Sequence, residues 1–373
     1  MNDSDKNINK EKIEEIEREE KEVADLKNVD DFSETEKSPS QAFSISSYGA
    51  DYTVDSLVKR LEKDDFFVPA FQRSFIWNMR QASRFVESLL MGLPVPGVFV
   101  FRESDTNRHL IIDGQQRLKS LQFFFKGKFP GNDKTFRLLD VREPWNGNSY
   151  EDMGDFDKRR LDDSIIHTTI FRQEQPQNND DSVYEVFERI NTGGMKLSPQ
   201  EIRVCVNFGP FTNLLATLND NKIWRAIYGP ISPRLKDQEL ILRFFAFYAG
   251  SSVYKSPLRT FLNRYMEKNR KLDAANADEL KELFISTVEK ITESVGLRPF
   301  RPERAINAAV FDAVSVAIAR SLRRGAIEKS ALKVAYDQLL ANKDFQATYS
   351  RATADEENVK ARFRLATGAF EAL

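Results

Sequence analysis

Residues 173–181, reading QEQPQNNDD, divide this chain into two parts that follow different rules. Before them, short apolar runs alternate between strand and helix spacing; after them, the apolar spacing is helical almost throughout. A chain patterned this way is α+β, with a small mixed domain followed by a mostly α-helical one. The expected layout is a charged, disordered tail at 1–43, an α/β domain at 44–175 and an α-helical domain at 176–373. The tail rests on composition. Residues 1–40 carry 14 acidic and 7 basic side chains and too few apolar ones to offset chain entropy.

In the first part the spacing predicts helices near 53–63, 79–91, 114–125 and 155–161. Strands are expected near 66–71, 97–102, 109–112 and 165–172. In the second part helices are expected near 182–191, 199–207, 210–218, 237–248, 257–269, 277–295, 303–323, 330–341 and 354–367. Gly368 is read as the stop of the last one.

Several function classes drop out on residue types alone. The single cysteine, Cys205, excludes an internal disulfide and a Cys-rich zinc site, and favours a reducing, cytoplasmic location. No apolar run approaches the roughly 20 residues needed to span a bilayer, so no membrane partner is expected. No G-x-x-x-x-G-K-[ST] occurs, which argues against a P-loop NTPase. The two histidines are His109 and His167, both in predicted strands. A His-Asn-His nuclease needs histidines farther along, so self-contained DNA cleavage is not expected. Any hydrolysis is expected to rely on Asp, Glu, Gln, Arg and a metal ion of unknown ligands. Beyond residue 40 the balance is 43 acidic to 48 basic side chains, which permits nucleotide or DNA as a partner without requiring either.

The most informative segment is Leu110-Ile111-Ile112-Asp113-Gly114-Gln115-Gln116-Arg117-Leu118, an apolar strand running through a glycine turn into a helix. The first amides of a helix lack intrahelical partners and carry the positive end of its dipole, which suits an anion. Arg117, one turn in, adds a guanidinium for phosphate oxygens, while Gln115 and Gln116 bring amides that orient a ligand or a water molecule. On spacing alone, Asp113 serves equally well as a plain N-cap, with Arg117 on the helix surface.

A second Gln-Arg pair, Gln72 and Arg73, follows the strand at 66–71 and precedes Phe75 and Trp77, rings that either stack on a base or join the core. Farther on, Gly193 and Gly194 read as a helix stop. Ser198, Pro199 and Glu201 read as a capping box with proline at the first helical position.

Taken in order, these blocks resemble a known family, the N-terminal domain of GmrSD-type restriction endonucleases. The resemblance rests on F-x-V-P-x-F-Q-R at 66–73, M-G-L-P-V-P-G-V at 91–98, I-D-G-Q-Q-R-L at 112–118, V-F-E-R-I-N-T-G-G at 186–194 and L-S-P-Q-E-I-R at 197–203. It covers roughly residues 45 to 320. It implies a ParB/sulfiredoxin-like α/β domain followed by helices, and a D-G-Q-Q-R motif tied to nucleotide binding and hydrolysis. It also implies a setting in the restriction of modified phage DNA.

Carried over, Asp113, Gln116 and Arg117 are the catalytic candidates, and Gln72, Arg73, Gly114 and Gln115 the nucleotide-binding ones. The ligand would be a nucleoside triphosphate with Mg²⁺, and the partners DNA and a separate nuclease or effector. Full-length members often continue into a His-based nuclease domain, and none is expected in this sequence. Sulfiredoxin chemistry is not expected either, because Cys205 falls in the predicted helical region. The competing expectation is a non-enzymatic DNA-binding or regulatory module, with the Gln-Arg pairs on the DNA backbone.

Overall fold

Strand β1 (Ser44–Thr53) passes directly into helix α1 (Val54–Glu62), and Thr53 joins them. Its hydroxyl accepts from the Ser56 amide and so caps the helix. The computed structural model describes residues 44–68, 75–103, 106–130, 134–175, 184, 186, 189–190, 198–371 and 373. The expected tail at 1–43, the glycine pair 193–194 and most of the expected helix at 182–191 lie outside these residues.

After α1 come β2 (Phe66–Phe67), α2 (Met79–Leu90), β3 (Val98–Arg102), β4 (His109–Asp113), α3 (Gln115–Phe125), α4 (Asp155–Asp162), β5 (Ile165–Gln175) and α5 (Pro199–Val206). The strands form one five-stranded sheet in the order β1-β5-β3-β4-β2. Here β1 is antiparallel to β5, β3 parallel to β5 and antiparallel to β4, and β2 parallel to β4. One face packs Val98, Val100, Ile111, Ile166 and Ile170 against the apolar stripes of α1 to α4. On the other face Phe67, Phe101, Leu110 and Ile112 pack with Tyr184, Val186, Ile202, Cys205 and Val206. Composition groups α5 with the later helices, but its contacts group it with the sheet. Ser198 and Glu201 form the expected capping box at its start, each side chain accepting the other's backbone amide.

Among the described residues the chain divides into two compact units, one up to Val206 and one from Asn207 onward. The second holds α6 (Pro210–Asn219), α7 (Lys222–Tyr228), α8 (Lys236–Gly250), α9 (Leu258–Asn269), α10 (Ala274–Val295), α11 (Ala308–Leu322), α12 (Lys329–Ala341), α13 (Lys343–Ser350) and α14 (Glu356–Phe370). The class is thus mixed α+β in the first part and helical in the second. Gly368 does not stop the last helix, which continues through it to Phe370.

Helix α11 is apolar on nearly every side and is buried almost throughout, as befits the central helix of a bundle. Its carboxylate, Asp312, is fully buried and takes both Arg243 Nε at 3.0 Å and Arg243 Nη2 at 2.6 Å. Burial pushes the Asp312 carboxyl upward from its usual range, and the guanidinium opposes that.

Three more arginines satisfy main-chain carbonyls in the last turns of helices or in the loop that follows. Arg301 donates to Ile227 and Tyr228, Arg320 to Phe247 and Tyr248, and Arg362 to Thr348 and Thr353.

Two outcomes are expected from this packing. Asp312→Ala strands a buried guanidinium, so denaturant unfolding should show a loss of about 3–5 kcal/mol, most of it regained in Arg243→Met/Asp312→Leu. His109, its ring tilted against Phe66 at 4.8 Å, is held down to about 4 by burial, with Arg102 and Arg60 adding to the effect. The folded protein therefore resists taking a proton that the unfolded chain accepts near its ordinary value of 6.5. Stability is full above that value and falls as pH drops from it toward about 4. Urea midpoints measured at about pH 7 and about pH 5 should diverge less in His109→Gln than in the parent.

Candidate anion-binding site

Strand β4 ends at Asp113, and Gly114 turns the chain into α3 with φ 97° and ψ 7°. This is the left-handed region that glycine enters at little cost. A Cβ there would lie 2.4 Å from Val98 Cγ1, so the main chain rests directly on β3. No side chain caps α3. Asp113 is therefore not the N-cap that spacing allowed. It ends the strand, and its carboxylate accepts from Arg117 Nη2 at 2.6 Å. The start of α3 carries the positive end of its dipole, and its N-cap residue, a glycine, has no side chain to cap it.

Arg117 does not project from the helix surface. Its guanidinium folds back across the turn, donates from Nη1 to the Pro96 carbonyl at 3.2 Å and is only 13% exposed. Two fixed acceptors thus hold a cation beside the start of α3. Gln115 is buried. The Gln116 side-chain oxygen accepts from two successive amides, Ile76 at 3.0 Å and Trp77 at 3.2 Å. That oxygen is committed to holding a neighbouring segment, so any work on a ligand or water falls to its amide nitrogen.

The segment so held is pinned by its rings as well. Phe75 meets Phe123 of α3 edge-on at 5.1 Å and Phe129 at 5.6 Å, and Trp77 meets Phe85 of α2 at 5.9 Å. Phe75 and Trp77 are thus partly buried at the margin of the core. Asn78 then caps α2, with Gln81 returning the bond. Gln72 and Arg73 lie outside the described residues.

Four contributors leave no signal in the sequence: the Pro96 carbonyl, the Val98 side chain and the amides of Ile76 and Trp77. A backbone acceptor leaves no compositional trace.

Among the described residues no group of three or more His, Cys, Asp or Glu side chains is placed to hold a metal ion. Nor is any helix among them long and apolar enough to cross a membrane. Cys205 is fully buried against the sheet, and burial raises its thiol pKa well above the usual value. The bar to sulfiredoxin chemistry is therefore the burial of the thiol; the residue itself lies in the sheet-bearing unit.

These features define a mixed α+β domain in which a strand–glycine–helix turn sets one guanidinium beside the start of a helix. Residues 54–208 match the family model described as GmrSD restriction endonuclease, N-terminal domain. The matched span follows the sheet-bearing unit and ends at 208, short of the coverage to about 320 that the motif blocks imply. A comparison with curated proteins gives no match.

The Gly114 contact can be tested against a second left-handed glycine. Gly127 has φ 68° and nothing within 4 Å of the place a Cβ would take, whereas Gly114 meets Val98. Gly127→Ala should cost about 1 kcal/mol, and Gly114→Ala about 2–4 kcal/mol because the contact adds to the backbone cost. Urea unfolding of both variants measures the difference.

Proposed function

We propose that the start of α3 binds the phosphates of a nucleoside triphosphate and that this domain hydrolyses it within a DNA restriction system. The observation that carries the reading is the glycine-capped start of α3 with Arg117 fixed beside it by Asp113 and Pro96. Backbone amides and a guanidinium are donors only, so the site favours anions over neutral ligands. Gln115 and the amide nitrogen of Gln116 would orient the ligand, and Gln72 and Arg73 would join from the preceding loop.

In such a site Arg117 also stabilises charge that builds on the phosphoryl oxygens in the transition state. Asp113 holds Arg117 in place, which makes it a positioning group. Mg²⁺ would arrive with the triphosphate, since magnesium commonly keeps its waters and is held largely by substrate phosphates. DNA and a separate nuclease or effector are the partners that a restriction system would supply. The GmrSD likeness supports the restriction setting, and the geometry supports the anion.

Binding of each NTP to the full chain, and phosphate release with Mg²⁺, test the reading. Arg117→Ala should weaken NTP binding by roughly 10- to 100-fold, the range for a lost charged hydrogen bond. Equal binding and turnover in that variant, or no binding by the parent, would overturn it.

A further inference from the structure

An open cavity of about 420 Å³ lies in the helical unit, outside the span that matches the family model. Its size falls within the range of roughly 300–1,000 Å³ usual for small-molecule sites. One wall is the 3₁₀ turn Ser251–Val253, which follows α8; the other is a face of α14. Lys360, Phe363, Arg364 and Gly368 recur there at helical spacing and so share that face. The Phe363 ring is fixed from behind by Phe247, at 5.0 Å between centroids. The lining is therefore apolar at Phe363 and polar at its edges.

Three observations in this lining point to a ligand. Ser251 is only 5% exposed, and its Oγ accepts from Arg320 Nη2 at 2.8 Å. Among the described residues its own proton goes to no acceptor, so a buried hydroxyl polarised by a guanidinium is left with a donor to satisfy. The charges lean the same way. Lys360 pairs with Glu356 at 3.6 Å, and Glu371, the carboxylate of the lining, with Arg324 at 3.9 Å. Arg364 has no ion pair or hydrogen bond among the described residues, which leaves one whole positive charge at the cavity. Finally, α14 runs through Gly368 with no left-handed φ, and nothing lies within 4 Å of the place a Cβ would take. Neither backbone nor packing demands a glycine there, and glycine is a poor helix former. A larger side chain at 368 would stand in the cavity.

We propose that this cavity binds a small organic anion, a carboxylate or phosphate group carried on an apolar or aromatic body. The Ser251 hydroxyl and the Arg364 guanidinium donate to the acid group, and Lys360 adds positive charge beside it. The body rests on Phe363 and fills the space left open at Gly368. Because Glu371 is engaged by Arg324, the donors of the lining face the ligand without a competing free carboxylate. A bare inorganic ion would meet the same donors but leave the apolar wall uncovered, so the organic body supplies much of the affinity. The site does not depend on the NTP reading above.

Titration calorimetry on the full chain tests this with phenyl phosphate, benzoate and inorganic phosphate. One or both aromatic probes should bind roughly 10-fold or more tighter than inorganic phosphate, through burial of the ring, and the better one identifies the acid group. Arg364→Ala should weaken that binding by roughly 10- to 100-fold, the range for a lost charged hydrogen bond. Gly368→Leu should abolish it without lowering Tm, because the new side chain enters open space and favours the helix. Arg117→Ala should leave it within about threefold of the parent, as expected of independent sites. Failure of both aromatic probes to bind, or inorganic phosphate bound as tightly as either, overturns the proposal. So does unchanged affinity in Arg364→Ala or Gly368→Leu, and so does a loss in Arg117→Ala, which would move the probe to the start of α3.

Discussion

The segment at the start of β3 is the part on which the candidate site depends. Val98 belongs to the main core cluster and also lies beneath Gly114, so the turn into α3 is seated on a core residue. One residue earlier, Gly97 lets the chain lie against β5, and before it the Pro96 carbonyl anchors Arg117. Steric exclusion at two glycines and one carbonyl hydrogen bond thus fix where a helix begins and where its nearest cation points. Close-packed interiors tolerate few such adjustments, so this geometry is set before any ligand arrives.

The electrostatics are equally economical. A helix start supplies only partial charge, which is felt within its first turn. Adding a whole positive charge there without a partner would strain the free protein. Asp113 resolves this by pairing with Arg117 at the i, i+4 spacing, leaving a near-neutral site whose donors still outnumber its acceptors. The buried Asp312–Arg243 pair in the helical unit shows the other use of the same chemistry. There, closure on all sides makes the pair structural.

Much of this architecture is legible from spacing. The strand–glycine–helix junction at 109–125, the capping box at Ser198–Glu201 and the long amphipathic helices all follow local rules that the sequence displays. β1 is not legible. SISSYGADYT has few β-branched or large apolar residues, and its glycine and serines blur the alternation, so its strand state comes from pairing with β5. The short helices Lys222–Tyr228 and Lys343–Ser350 also escape notice, being too brief to show a period. In the site, Arg117 and Gln116 are visible as residues but most of their partners are not, because those partners are main-chain groups. The Asp51–His167 pair spans 116 residues and exists only once β1 and β5 are in register.

The double acceptor at Gln116 has a mechanical corollary. One oxygen holds two consecutive amides, so residues 76 and 77 cannot slide or rotate independently of the first turn of α3. The next residue, Asn78, is the cap of α2, which places a third element on the same linkage. Any tilt of α3 about its start is therefore shared by the entry to α2, and the two helices respond to a load at the turn as a single lever.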